Sequence, residues 1–324
     1  MKYDIELLKK VHKPGGNTIL SPLSIDLCTA MVAYAIPGNY ALSESTALGK
    51  YKCCEDYRDL IVRLINKKGN QLKIANSLWG GWTHPYIESF VFEDSFFADI
   101  YPEASAQAIN TWVNEKTEGL IPHTVDSIPP KSNIFINALY FKGDWLKPFF
   151  EGTAPAPFYG SGGESTVSTM FRKCSFGFYE DGDVLNVKLD YTGGQRRNFA
   201  FLISMPKAKP IDQYIKENLE AEDYKKWGHQ PLKLYLPKFT LESTVDIQEA
   251  LGVEIKGAVS AKSTAKMEVN EEGTEAAALS KVIVMCCGMG PLSTIEVKIN
   301  RPFIFRLIDQ MTDTVIFNGA INNL

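Results

Sequence analysis

The chain has little of what catalytic, metal-binding or nucleic-acid-binding proteins usually carry. Its four histidines, His12, His84, His123 and His229, stand in unrelated contexts, with no H-E-x-x-H helix and no G-x-S-x-G elbow. Read singly, they are surface or satisfied residues. No phosphate loop is present: Gly160-Ser161-Gly162-Gly163 and Gly288-Met289-Gly290 lack both the spacing and the Lys-Ser/Thr ending. Aspartates and glutamates can be paired on paper into any acid–base couple, so no particular couple counts as evidence. The six cysteines, Cys28, Cys53, Cys54, Cys174, Cys286 and Cys287, contain no C-x-x-C and form neither a disulfide framework nor a zinc pattern. They read as free thiols of a reducing compartment. No Asn-x-Ser/Thr acceptor occurs, and no apolar run approaches the ~18 residues a membrane span needs. Lysine and arginine number 34 against 38 aspartates and glutamates, a net charge of −4, which argues against a nucleic-acid partner. Residues 1–6 have no signal-peptide core. The expectation is a cytoplasmic or leaderless-secreted chain, extracellular if a signal peptide has been removed. Nothing here points to an enzyme, a cofactor, a metal or a membrane.

What is present is globular: 324 residues, 45% hydrophobic and 22% charged, enough apolar material for a sizeable core. Residues 4–11 read as a short amphipathic helix with Ile5, Leu8 and Val11 on one side. Ser21 before Pro22 reads as a capped helix start, and the run from Leu27 to Ala35, apolar almost all round, as a buried helix. Further helices fit Asp56 to Lys67 and Ala104 to Lys116, the latter with Ala108, Ile109, Trp112 and Val113 inward. Leu72–Ala75 alternates like a strand, and 134–141 is a near-continuous apolar run, best read as a central strand. Later strands fit Leu185–Leu189, Phe199–Met205, Leu232–Leu236, Thr294–Ile299 and Phe303–Ile308, with Phe317 opening the last turn and strand. Helices lie mostly early and strands mostly late, an α+β pattern with no obvious place to divide it.

The most informative stretch is Glu271-Glu272-Gly273-Thr274-Glu275-Ala276-Ala277-Ala278, followed by residues 279–288. With period two, one face holds Thr274, Ala276, Ala278, Ser280, Val282 and Val284, all small or β-branched and uncharged. The other holds Glu275, Ala277, Leu279, Lys281 and Ile283. Such alternation suits a strand with one buried face entering a tight gap in a sheet. Glu-Ala-Ala-Ala-Leu also favours helix, and pattern alone leaves helix and strand level.

The residues 271–278 resemble the hinge of inhibitory serpins, ahead of their reactive-centre loop. The resemblance extends along the chain in family order. Asn17-Thr18-Ile19-Leu20-Ser21-Pro22-Leu23-Ser24-Ile25 is similar to the family's N-terminal motif. Residues 72–79, 109–119 and 137–145, Leu236-Pro237-Lys238-Phe239 and Asn300-Arg301-Pro302-Phe303-Ile304-Phe305 follow family patterns. The resemblance implies one serpin domain over residues 1–324: a metastable α+β fold with a large mixed sheet, additional sheets, about eight helices and an exposed reactive-centre loop at about 271–293. It also implies a suicide inhibitor, acting as a monomer without cofactor. A target serine protease cleaves the loop, forms a covalent acyl complex, and is trapped when the hinge side inserts into the main sheet as an extra strand. A non-inhibitory serpin with a chaperone, carrier or structural role, or an inhibitor of a cysteine protease, are the alternatives.

Loop length locates the scissile bond. Cleavage after Lys281, eight residues past Gly273, frees only about 26 Å of strand. Cleavage after Cys287, fourteen residues past, frees roughly 46 Å, as family inhibitors use. A backward count from Asn300-Arg301-Pro302-Phe303 falls nearer Pro291, but insertion constrains the hinge side. Cys287–Gly288 is therefore the first candidate, with Met285, Cys286 and Met289 as alternatives. These uncharged side chains fit elastase-like or chymotrypsin-like pockets and lack the cation a trypsin-like pocket needs. Cys286 and Cys287 also admit a vicinal disulfide or oxidation, which would make inhibition redox-sensitive. By resemblance, Ser21, Ser24 and Asn137 lie beneath the opening sheet. Ser263 stands where the family usually has histidine, and Trp145 marks the place where insertion begins.

Overall fold

The computed structural model describes residues 2–36, 53–66, 70–80, 89–128, 132–193, 198–217, 219, 223–253, 259–274 and 294–324. In chain order the elements are α1 (Lys2–Val11), β1 (Thr18–Leu20), α2 (Pro22–Ala35), α3 (Cys54–Ile65), β2 (Asn70–Trp79), α4 (Ser89–Ser95), β3 (Ala98–Tyr101), α5 (Ala106–Lys116) and β4 (Asn133–Asp144). There follow β5 (Thr153–Gly160), β6 (Gly163–Glu180), β7 (Val184–Asp190), β8 (Phe199–Pro206), α6 (Ile211–Glu217), β9 (Gly228–Pro237), β10 (Phe239–Asp246), α7 (Ile247–Leu251) and β11 (Val259–Val269). The chain ends with β12 (Gly273–Thr274), β13 (Ile295–Lys298), β14 (Phe303–Asp309) and β15 (Thr314–Ile321). Seven α-helices thus lie among the described residues, against the eight or so expected.

Helix α2 organises the rest. Pro22 occupies the first turn, where its missing N–H costs nothing, and Ser21 Oγ accepts from Ser24 N at 3.1 Å. Every residue of α2 except Tyr34 is buried. A helix apolar on all sides must stand between two layers, and α2 packs on β4 and β11 of one sheet and on β15 of another. The first sheet runs β10-β11-β12-β4-β2-β3, and β11 also pairs directly with β4. It is mixed, with β4–β11 and β2–β3 parallel. The second sheet runs β1-β15-β14-β8-β7-β6-β9-β13, with β5 on β6. The outer face of β4 carries Ile134, Ile136 and Ala138, which α5 covers with Ile109, Trp112 and Val113. Among the described residues no helix is long and apolar enough to cross a membrane.

One sequence reading needs correction, and one hairpin went unread. Helix α5 begins at Ala106, because Ser105 Oγ accepts from Ala108 N and caps it there, and Ala108 is exposed rather than inward. The long hairpin of β5 and β6 carries no clear period-two apolar signal. β5 also contains Pro155 and Pro157, which a strand tolerates when it has a neighbour on one side only, as β5 does among the described residues.

Candidate functional site

The two parallel strands at the centre of the first sheet part company at one end. β4 and β11 pair from Asn133↔Val259 to Leu139↔Ala265, then diverge. In the mouth of the opening stands β12. On one flank it pairs as Gly273↔Asp144 and Thr274↔Gly143, and on the other as Thr274↔Val269. The loop expected to be exposed over 271–293 therefore starts inside the sheet, with Gly273 and Thr274 buried. Two glycines permit this. A Cβ on Gly273 would lie 1.9 Å from Gly143 O, and one on Gly143 would lie 2.5 Å from Asn70 Oδ1 and 2.8 Å from Tyr191 Cδ1. Neither position has room for a side chain.

A clamp of aromatic and amide groups holds this entry point. Trp145 N donates to Glu272 O at 2.8 Å and Trp145 Nε1 to Asn270 O at 2.9 Å. Phe149 N donates to Glu271 O at 2.8 Å. Asn270 Oδ1 accepts from the backbone of Glu272 and Gly273, shaping the turn into β12. Tyr191 stacks on Trp145 with ring centroids 4.5 Å apart, and its hydroxyl meets Thr274 Oγ1 at 2.5 Å. Burial pushes the Tyr191 phenol well above its usual range, so it is a neutral hydroxyl at any ordinary pH.

Glu271 anchors the outer side of the turn through Lys238 Nζ at 2.9 Å and Thr153 Oγ1 at 2.7 Å. Partial burial works to raise its pKa, but those two bonds outweigh it and hold the carboxyl below the usual glutamate range. A depressed carboxyl gives stability that is present above the unfolded pKa and lost as pH falls through the folded one. Thermal melts of wild type and Glu271→Gln should therefore differ fully above about pH 4.3 and converge at lower pH. A gap that stays constant down to acid would show that this ion pair contributes nothing.

Further down the sheet, a relay of buried hydrogen bonds crosses both central strands. Ser263 Oγ donates to Ser24 Oγ at 2.8 Å, Ser24 Oγ donates to Asn137 Oδ1, Asn137 Nδ2 to Asn76 Oδ1 at 2.6 Å, and Asn76 Nδ2 to Phe96 O at 2.6 Å. The structure thus brings Ser24, Asn137 and Ser263 together. Ser21 adjoins them through its cap but donates its own hydroxyl to Ile316 O at 2.7 Å. Trp145 lies apart, at the mouth. Sequence reasoning did not single out Tyr191, Asn270, Gly143 or Asn76. Asn76 and Gly143 left the signal of lying inside the stretches 72–79 and 137–145; Tyr191 and Asn270 left none.

Glu271, Glu272, Gly273 and Thr274 of the expected hinge are described. Glu275, Ala276, Ala277 and Ala278, and the candidate bond residues Met285, Cys286, Cys287, Gly288 and Met289, lie outside the described residues. Of the other cysteines, Cys28, Cys53, Cys54 and Cys174 are free thiols. Among the described residues no cluster of three or more His, Cys, Asp or Glu could hold a metal ion.

Comparison with known proteins fits this geometry. A family model described as Serpin (serine protease inhibitor) matches residues 2–263 and 253–324. Leukocyte elastase inhibitor of Bos taurus is 30% identical over an alignment of 372 positions, covering 99% of this chain and 96% of that protein. Serpin B8 of Homo sapiens is 28% identical, covering 95% and 93%. Among solved structures, the thermophilic serpin tengpin in its native state superposes with a TM-score of 0.84 at 25% identity, over 99% of this chain and 92% of that one. Thyroxine-binding globulin complexed with thyroxine superposes with a TM-score of 0.83 at 20% identity, over 99% and 97%, a likeness of fold alone.

Proposed function

We propose that this chain, which belongs to the serpin family, traps a serine protease of elastase-like or chymotrypsin-like specificity as a covalent acyl complex. One observation carries the reading: the opening between β4 and β11 already holds Gly273 and Thr274 of the hinge in register. Extending the pairs Thr274↔Gly143 and Thr274↔Val269 sets Ala276 between Phe141 and Met267, and Ala278 between Leu139 and Ala265. It sets Ser280 between Asn137 and Ser263, and Val282 between Phe135 and Ala261. Small residues meet the bulky part of the core, and the one hydroxyl meets the buried hydroxyls and amides of the relay. On both flanks the register runs out at Val284, opposite Asn133 and Val259, where β4 and β11 begin. That supports cleavage beyond Val284, at Cys287–Gly288 or a neighbouring bond, over cleavage at Lys281. The name of the bovine relative supports an elastase-like target.

In the reaction, the protease serine oxygen attacks the carbonyl carbon of Cys287. An ester forms, the bond to Gly288 nitrogen breaks, and that nitrogen leaves as an amine with the proton. Before water can hydrolyse the ester, residues from Glu275 onward enter the sheet between β4 and β11 and carry the acyl-enzyme away from the loop's original position. Those two strands must separate below Leu139 and Ala265, and α5 must yield over Ile134, Ile136 and Ala138. This is why the central polar relay is built from exchangeable hydroxyl and amide bonds rather than from interlocked aliphatic groups.

Incubation with elastase-like, chymotrypsin-like and trypsin-like proteases tests the proposal, read on denaturing gels with mass spectrometry of the released peptide. The expected result is a denaturant-resistant complex with the elastase-like or chymotrypsin-like enzyme and a released peptide beginning at Gly288. Clean loop cleavage without complex by every protease would overturn it and favour a non-inhibitory serpin.

A further inference from the structure

The Tyr191 hydroxyl sits where it can govern the first step of insertion. Tyr191 lies on no long strand; it makes an isolated bridge to Trp145 immediately after β7 and is buried to 3% exposure. Its hydroxyl meets Thr274 Oγ1 and, among the described residues, bonds nothing else. Its ring is fixed by the stack on Trp145 and by an edge contact to Phe141 at 5.0 Å. Thr274 in turn is 1% exposed, between Gly143 and Val269. If the hinge swings out of the sheet, a buried phenol loses its partner, and an unmet buried hydroxyl costs more than an ordinary hydrogen bond gains. The hydroxyl is thus matched to the hinge-in state and opposed to the hinge-out state.

We propose that Tyr191 is a positioning residue for loop insertion: its hydroxyl latches Thr274 into the sheet of the uncleaved molecule and so sets the register from which the rest of the loop zips. This rests on the insertion reading above and deepens it. A hinge held at Gly273↔Asp144 and Thr274↔Gly143 has its first inward side chain seated before cleavage. Insertion then propagates from an existing end and needs no new nucleus. The side chains that face Tyr191 are apolar or neutral (Trp145, Phe141, Thr274), so the latch works by hydrogen-bond matching and carries no charge.

The test uses hydrogen exchange of the uncleaved full chain at Gly273–Thr274, and stopped-flow fluorescence of Trp145 after loop cleavage by an unrelated protease. Thr274→Val keeps the shape and loses the hydroxyl, whereas Thr274→Ser keeps the hydroxyl. Tyr191→Phe keeps the ring stack. Thr274→Val and Tyr191→Phe are each expected to raise hinge exchange and slow insertion by about fivefold, the ratio given by one net hydrogen bond. Thr274→Ser should stay close to wild type, and the double variant should be no worse than either single one. Equal exchange and equal insertion rates in Thr274→Val and wild type would overturn the latch, as would additive effects in the double variant. If Tyr191→Phe fails to fold, the Val and Ser pair at Thr274 decides alone. Wild type that is cleaved but never inserts would sink the insertion reading instead, a result separable from the latch because exchange is read before cleavage.

Discussion

Thr274→Arg is expected to abolish the denaturant-resistant protease complex while leaving cleavage of the loop intact. Thr274 is the first inward-facing residue of the inserting strand. It is 1% exposed, flanked by Gly143 and Val269, and closed off by Tyr191. An arginine there meets a phenol held neutral by burial, which offers no countercharge. A buried charge without a partner costs about 3–5 kcal/mol, so the hinge must stay outside the sheet and the strand cannot start. Hydrolysis of the acyl-enzyme then wins. A penalty of that size lowers the trapped fraction by roughly a hundredfold or more, read as the moles of inhibitor consumed per mole of protease silenced. Loop cleavage should proceed at about the wild-type rate, since the change lies far from the bond attacked. Wild-type complex yield in this variant would mean that the hinge does not enter at Thr274, and the register proposed from β12 would fall with it.

How much of this was legible in the sequence depends on the range of the contacts. Helix α2 was legible because its cap, Ser21-Pro22, and its all-round apolar run are local features. β4 was legible because a strand covered on both faces reads as a continuous apolar stretch. Seven of the eight residues from 134 to 141 are apolar, and the exception, Asn137, proves to be the polar centre of the sheet. The alternation of small residues through 274–284 was visible, but its local helix propensity matched its strand pattern. What tips the described part to strand is the opening that receives Gly273 and Thr274, which no local window contains. Tyr191 was invisible for the same reason: an aromatic ahead of two glycines carries no pattern, and its partner is 83 residues away in the chain. The glycine at 143 falls just past the strand read at 134–141. In the structure it and Asp144 are where β4 pairs with β12, and a Cβ at 143 would have no room.

The second large effect expected is a rise in thermal stability on loop cleavage, graded by the position of the cut. In the uncleaved chain, β4 and β11 satisfy one another only from Asn133 to Leu139 and from Val259 to Ala265. Beyond that, among the described residues, the two residues of β12 stand between their facing edges. After cleavage at Cys287–Gly288, residues 275–284 can fill the whole opening. Ladder bonds on both flanks roughly offset the backbone ordering of those residues, at about 1–2 kcal/mol each. The surplus comes from newly buried side chains. Val282 and Val284 enter on the core face, and Leu279 and Ile283 lie on the face that α5 covers. At about 1.5–3 kcal/mol each, these four contribute roughly 6–12 kcal/mol, which for a chain of this size raises the melting temperature by about 10–18 °C. A cut after Lys281 by a trypsin-like enzyme allows insertion only as far as Lys281, which would then lie opposite Lys262 across the new pair. Val282, Ile283 and Val284 stay outside, and only about a quarter of the rise is expected. Calorimetry of the intact, Lys281-cut and Cys287-cut chains should therefore rank them in that order. Equal melting temperatures for all three would mean that the opening between β4 and β11 does not accept the loop, and that the two buried residues of β12 are a static turn.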